Sequence, residues 1–153
     1  MSNQVISLNA GAAGQPLLTE RLAAAAGILP GHLVEEASGT VQVHGTAAVN
    51  AQRLFAQTNL AIAGDIDTAY ASGETVSYGA YHSGQGVNAL VAASATVITD
   101  GAALESAGDG TVRIITTDAA TDDTQRDAIV GYATEAVDNS GGGTVVRIKI
   151  RVA

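Results

Sequence analysis

From His32 onward, apolar and polar positions alternate in short runs, and four of these open with a glycine-containing turn followed by Thr and Val. The four are Gly39-Thr40-Val41-Gln42-Val43, Gly73-Glu74-Thr75-Val76-Ser77-Tyr78, Gly108-Asp109-Gly110-Thr111-Val112-Arg113-Ile114 and Gly143-Thr144-Val145-Val146-Arg147-Ile148. Glycine reaches positive φ without a steric cost, and β-branched residues suit a pleated strand, so each start predicts a turn leading into a strand. Their near-even spacing is what hairpin chemistry alone produces, and a duplicated ancestral unit would produce it too. Apolar runs at 87–91, 96–98 and 129–136 predict further strands. Short strands at this density point to a mainly β fold, a small β-barrel or sandwich.

The last strand has the clearest pattern. Val146, Ile148, Ile150 and Val152 alternate with Arg147, Lys149 and Arg151, which gives one apolar face and one face with three positive charges. The basic stripe reads as a solvated outer face guarding a sheet edge, or as a surface that meets an acidic partner.

The first thirty residues follow another grammar. Gly11, Gly14 and Pro16 interrupt the lead-in, and Leu18, Leu22 and Ala25 then share helical spacing before Gly27 and Pro30. Residues 1–30 therefore read as an N-terminal arm, either a short helix or an extended segment ordered against a neighbour, ahead of a β domain at 31–153. Leu17, Leu18 and Leu22 are its candidate anchors. Two stretches stay ambiguous: 47–58 scans as helix by its Ala and Gln content and as strand by its neighbours. The acidic run with Asp118, Asp122, Asp123 and Asp127 reads as a solvated loop or short helix.

Composition narrows the function. A chain of 153 residues is one domain's worth and can bury roughly 70% of its unfolded surface. It is 46% hydrophobic but only 3% aromatic, so stacking on sugars, bases or flat cofactors has little to work with. A formal charge of −8 repels a phosphate backbone, which argues against nucleic acid as a partner. The absence of cysteine removes disulfides and thiolate sites. No signal-like segment or long apolar span occurs, which predicts a soluble protein made in a cytoplasm, without a membrane partner.

Motifs for chemistry are weak. His32, His44 and His82 form no locally spaced metal pair. Asp65 and Asp67 could begin a calcium loop, but the later Gly and Glu of such a loop are missing, which leaves turn-forming aspartates. Gly84-Gln85-Gly86-Val87-Asn88-Ala89 meets a loose dinucleotide pattern, with Glu105 near the distance of a ribose-binding acid; that reading needs a helix after Ala89. No serine sits in a nucleophile elbow. The expectation is a protein without catalytic residues, cofactor or metal.

The order of three segments resembles the capsid cement, or head decoration, proteins of tailed phages. They are Ile66-Asp67-Thr68-Ala69-Tyr70-Ala71-Ser72-Gly73-Glu74-Thr75-Val76, Val87-Asn88-Ala89-Leu90-Val91, and the stretch from Asp100 through Leu104-Glu105-Ser106 to Gly110-Thr111-Val112. Gly131-Tyr132-Ala133, the Asp138-Asn139 loop and the final basic strand match the family's ending, and Leu29-Pro30-Gly31-His32 its lead into a first strand. The resemblance implies a non-enzymatic viral structural protein on the outside of a phage head. There it would bind the major capsid protein at seams between subunits, often as a homotrimer, and stabilise the assembled shell. Two other functions stay open: a self-associating tail or fibre β module, and a small metal- or nucleotide-dependent β-barrel enzyme using His32, His44, His82, Asp65 or Glu105.

Overall fold

The computed structural model describes residues 16–59, 64–93, 95, 97–116 and 127–153. The described residues form ten strands: β1 (Leu17–Leu22), β2 (Leu33–Ala37), β3 (Thr40–Val43), β4 (Leu54–Ala56), β5 (Thr75–Ala80), β6 (Gly86–Val91), β7 (Ala103–Ser106), β8 (Val112–Ile114), β9 (Gly131–Ala133) and β10 (Val146–Val152). The mainly β expectation holds, and all four glycine-turn starts lead into strands, namely β3, β5, β8 and β10.

The strands divide in chain order. β1 to β5 make a five-stranded sheet of order β1-β5-β4-β2-β3, and β6 to β10 make a closed barrel of order β10-β6-β8-β7-β9. The ends of the first sheet, β1 and β3, are drawn together by a single parallel bridge from Ala23 to Val41. In the barrel, the matching parallel contact is Val91 to Val112. The remaining pairings also match. β1 and β5 share six antiparallel pairs, as do β6 and β10. Leu33 faces Phe55 where Ala103 faces Tyr132. An antiparallel bridge joins Ile28 to Tyr70 in one unit and Ile98 to Val137 in the other.

Backbone hydrogen bonds repeat with the same offsets. Gly31 N–H donates to Ala56 C=O as Gly101 does to Ala133, and His32 N–H closes on Leu29 C=O as Ala102 does on Thr99. The chain is therefore a tandem pair of one five-strand plan. The sequence starts are equivalent in alternation: β3 corresponds to β8, and β5 to β10.

Two open readings are resolved and one is corrected. The segment from Leu17 is strand, not helix: β1 pairs along its length with β5, so its extended form is fixed by sheet hydrogen bonds that outweigh a helical spacing of leucines. Residues 54–56 are strand. β10 guards no edge, because β6 pairs on one side of it and β9 on the other. Asp118, Asp122 and Asp123 lie outside the described residues, as does the first half of an arm at 1–30, whose described part runs from Pro16.

Two apolar clusters hold the units. Val34, Val41, Tyr70, Val76 and Tyr78 fill the N-terminal sheet. Val87, Ala89, Val91, Leu104, Val112, Ile148 and Ile150 fill the barrel, and the same cluster takes in Leu33, Phe55, Ile66 and Tyr81 from the first unit. The units thus share a continuous buried junction. At about 1.5–3 kcal/mol for each buried large aliphatic or aromatic side chain, this junction is a main stabilising element.

Candidate functional site

The residues with chemical potential are occupied by structure. His32 is buried, its Nδ1 accepts the Leu29 N–H at 3.0 Å, and burial pulls its pKa from 6.5 to about 4, so the ring is neutral at physiological pH. Asp109 opposes that shift, and Arg147 adds to it. His44 is buried with Nδ1 2.8 Å from Ser106 Oγ, whereas His82 is exposed in the loop between β5 and β6. Asp65 Oδ1 accepts from the Asp67 N–H at 2.9 Å and the Thr68 hydroxyl at 2.8 Å; the Thr68 bond leads in holding its pKa below the usual carboxylate range. That is a turn cap. Among the described residues, no three of the His, Asp and Glu side chains gather in a metal-binding group.

The dinucleotide pattern fails on its own test. Gly84 stands at φ +88 in a turn where the Gln85 N–H donates to His82 C=O, and residues 86–91 continue as β6 rather than as a helix. Glu105 is 1% exposed and bonds Arg113 at 2.9 Å across β7 and β8. Its counterpart Glu35 receives Gln42 at 2.8 Å across β2 and β3. Both are cross-strand pairs of the repeated hairpin.

The sequence-predicted contact residues part company. Arg147 reaches into the junction: Nη1 donates to Pro30 C=O at 2.6 Å, and Nη2 to Ile66 C=O and, at 3.2 Å, to the Asp67 carboxylate. It clamps the two units together. Lys149 pairs with Glu135 at 3.3 Å, and Arg151 is exposed. The basic stripe is thus one internal clamp, one local ion pair and one exposed guanidinium.

Leu17, Leu18 and Leu22 are 68%, 59% and 53% exposed, along an edge strand that meets β3 only through the Ala23 bridge. On the far unit, Tyr132 is 40% exposed and lies directly opposite Arg151 in the β9–β10 pair. Sequence reasoning missed Tyr132. Its signal was the alternation in Gly131-Tyr132-Ala133, which turns the large ring away from two small inward residues. No helix among the described residues is long and apolar enough to cross a membrane. A depression of about 390 Å³ beside the barrel's β7–β8 hairpin is lined by alanines with Asp109, Arg113, Ile114 and Thr116, and among the described residues it holds no nucleophile beside a base.

No family model matches the chain, and no curated protein matches it. Among solved structures, the chain is similar to the N base of the head fiber gp8.5 of bacteriophage phi29, with a TM-score of 0.54 at 13% identity, over 91% of this chain and 95% of that one. The two share a fold.

Proposed function

We propose that this chain is a non-enzymatic structural protein of a bacteriophage head, a cement or decoration protein that binds the outer surface of the shell and reinforces contacts between major capsid subunits. The observation that carries this reading is the likeness, over nearly the whole chain, to a protein described as a phage head fiber base. The order of sequence segments that resembles the cement proteins supports it independently. A protein that binds only the assembled shell stabilises it by mass action, and two fused units that each expose apolar residues suit a role spread across neighbouring subunits. The proposed partners are the major capsid protein and further copies of this chain, with a trimer favoured by the resemblance.

The test is saturable cosedimentation with expanded empty capsids, together with quantitative mass spectrometry of purified virions. Cement saturates at a fixed ratio to shell subunits and raises the temperature at which the shell opens. Absence from virions and from the capsid pellet overturns the reading. A second reading, the base of a head fibre, is favoured by the same structural likeness. It differs in count: a fibre base occupies a small subset of shell positions, whereas cement scales with the number of subunits.

A further inference from the structure

The repeat allows corresponding surfaces of the two units to be compared, and two of them differ in cover. On the outer face of β6 and β10, Leu90 is 2% exposed because the Pro30-Gly31 turn of the first unit lies on it. The Leu90 N–H donates to Gly31 C=O, and Arg147 binds Pro30. Register matching makes Leu22 the counterpart of Leu90, since Leu22 faces Thr75 as Leu90 faces Arg147. In the first unit Pro16 packs on Gly79 at one end of that face, and among the described residues Leu18 and Leu22 stand exposed on the rest of it.

The complementary surface behaves in the same way. In the first unit, Gly31 is buried, and Phe55, 0% exposed, joins the barrel's core cluster. Their counterparts in the second unit, Gly101 and Tyr132, are exposed. Among the described residues, each chain therefore contains one completed junction, one exposed socket on β1 and one exposed plug around Gly101 and Tyr132.

We infer that a second copy of this chain fills the socket: the Gly101 turn and Tyr132 of one copy dock on the Leu18 and Leu22 face of the next, which repeats the internal junction between molecules. The occupant is argued from continuity, because the only surface known to fit this kind of face is the one that the same fold presents inside the same chain. Charge supports the pairing. Exposed Glu20 lies between the two leucines on the socket, and exposed Arg151 lies beside Tyr132 on the plug. Such an interface is heterologous, so it closes into a ring or grows as a filament.

The inference rests on the internal repeat and not on the capsid reading. A chain that associates this way yet is missing from virions would sink only the latter.

The experiment is sedimentation equilibrium on the full chain, alone and as Leu22→Asp, Tyr132→Asp and their equimolar mixture. The wild type associates below about 100 μM, the range expected of an interface of ordinary size. Each variant associates at least about thirtyfold more weakly, as for the loss of an interface anchor, with an unchanged melting temperature of the monomer. The mixture forms dimers and nothing larger, because one intact socket meets one intact plug. Glu20→Arg weakens association, and adding Arg151→Glu restores it. A monomeric wild type at 100 μM, variants that associate like the wild type, or a mixture that stays monomeric each overturn the inference. So does a monomeric wild type whose melting falls on Leu22→Asp, which would show the face covered by residues 1–15 of its own chain.

Discussion

At the mouth of the N-terminal sheet stand Arg21, Tyr78 and Glu36; at the corresponding positions of the barrel stand Ala89, Ile150 and Ser106. The polar trio is bonded together. Arg21 Nε donates to the Tyr78 hydroxyl at 3.2 Å, that hydroxyl donates to Glu36 at 2.5 Å, and Arg21 reaches Glu36 at 3.1 Å. Each unit closes through one parallel pair, Ala23 with Val41 and Val91 with Val112, but the first carries a bonded polar trio across its opening where the second carries a largely apolar filling. One strand plan therefore tolerates two fillings of the same opening, and the difference tracks the neighbours: the barrel has the first unit packed on its β6 face, and among the described residues no such unit lies on β1.

The comparison predicts that matched substitutions have unmatched costs. Phe55→Ala empties a fully buried position in the shared junction and costs about 3–5 kcal/mol. Tyr132→Ala, at the same place in the repeat, costs less than about 0.5 kcal/mol in a monomer. Urea denaturation of the two variants reads the difference. Equal costs would mean that the two positions are not equivalent surfaces with different cover.

The turn glycines repeat the lesson. Gly31 has φ +91, and a Cβ there would stand 2.7 Å from Asn88 O and 2.8 Å from the Arg147 guanidinium. Gly101 has φ +80 with nothing within 4 Å. Gly101→Ala carries backbone strain alone, about 1–2 kcal/mol, whereas Gly31→Ala adds overpacking of a further 1–3 kcal/mol. A thermal melt that ranks the two the other way would contradict the junction as described.

His32 makes the comparison sensitive to pH, since its counterpart Ala102 cannot titrate. The folded pKa lies below the unfolded value, so the folded state binds fewer protons as acid is added. Its stability contribution is whole above about pH 6.5 and is lost as pH falls towards about 4. At about 1.4 kcal/mol per unit, the loss approaches roughly 3 kcal/mol. His32→Asn, which keeps an acceptor near the Leu29 N–H, flattens the slope of stability between pH 6.5 and 4. An unchanged slope would assign that window to other groups. Asp65 and Asp138, held below the usual carboxylate range by hydrogen bonds, and Glu36, lowered first by the Tyr78 hydroxyl, lose their contribution further down the scale.

Much of this fold was legible because glycine turns and β-branched starts are local chemistry. The Ser38-Gly39 turn, with both residues at positive φ, joins β2 to β3 at the register its two-residue length sets. A duplication was an open reading of the four starts, but its period spans two of them, so evenly spaced glycines could not tell it from a single hairpin rhythm. β1 was hidden because Leu18 and Leu22 are four apart, a spacing that fits one face of a helix and one face of a strand alike; only pairing with β5 decides. Of the candidate contact residues, Arg147 could not be told from Arg151 by alternation, since both point outward and only the packing of a second unit converts one into a clamp.

The smallest effect probes the opening itself. Tyr78 is 1% exposed, and burial, followed by its bond to Glu36, raises its pKa. Tyr78→Phe removes a hydroxyl that receives from Arg21 and donates to Glu36, while Arg21 and Glu36 keep their direct contact, so the net cost is about 1 kcal/mol. That loss is concentrated where β1 closes. Amide exchange at Arg21 and Ala23 therefore accelerates in Tyr78→Phe, while exchange at Ala89 and Val91 in the barrel stays at the rate of the intact protein. If both sets accelerated together, the two units would open as one body, and the polar trio would be a feature of the whole molecule rather than the latch of its first half.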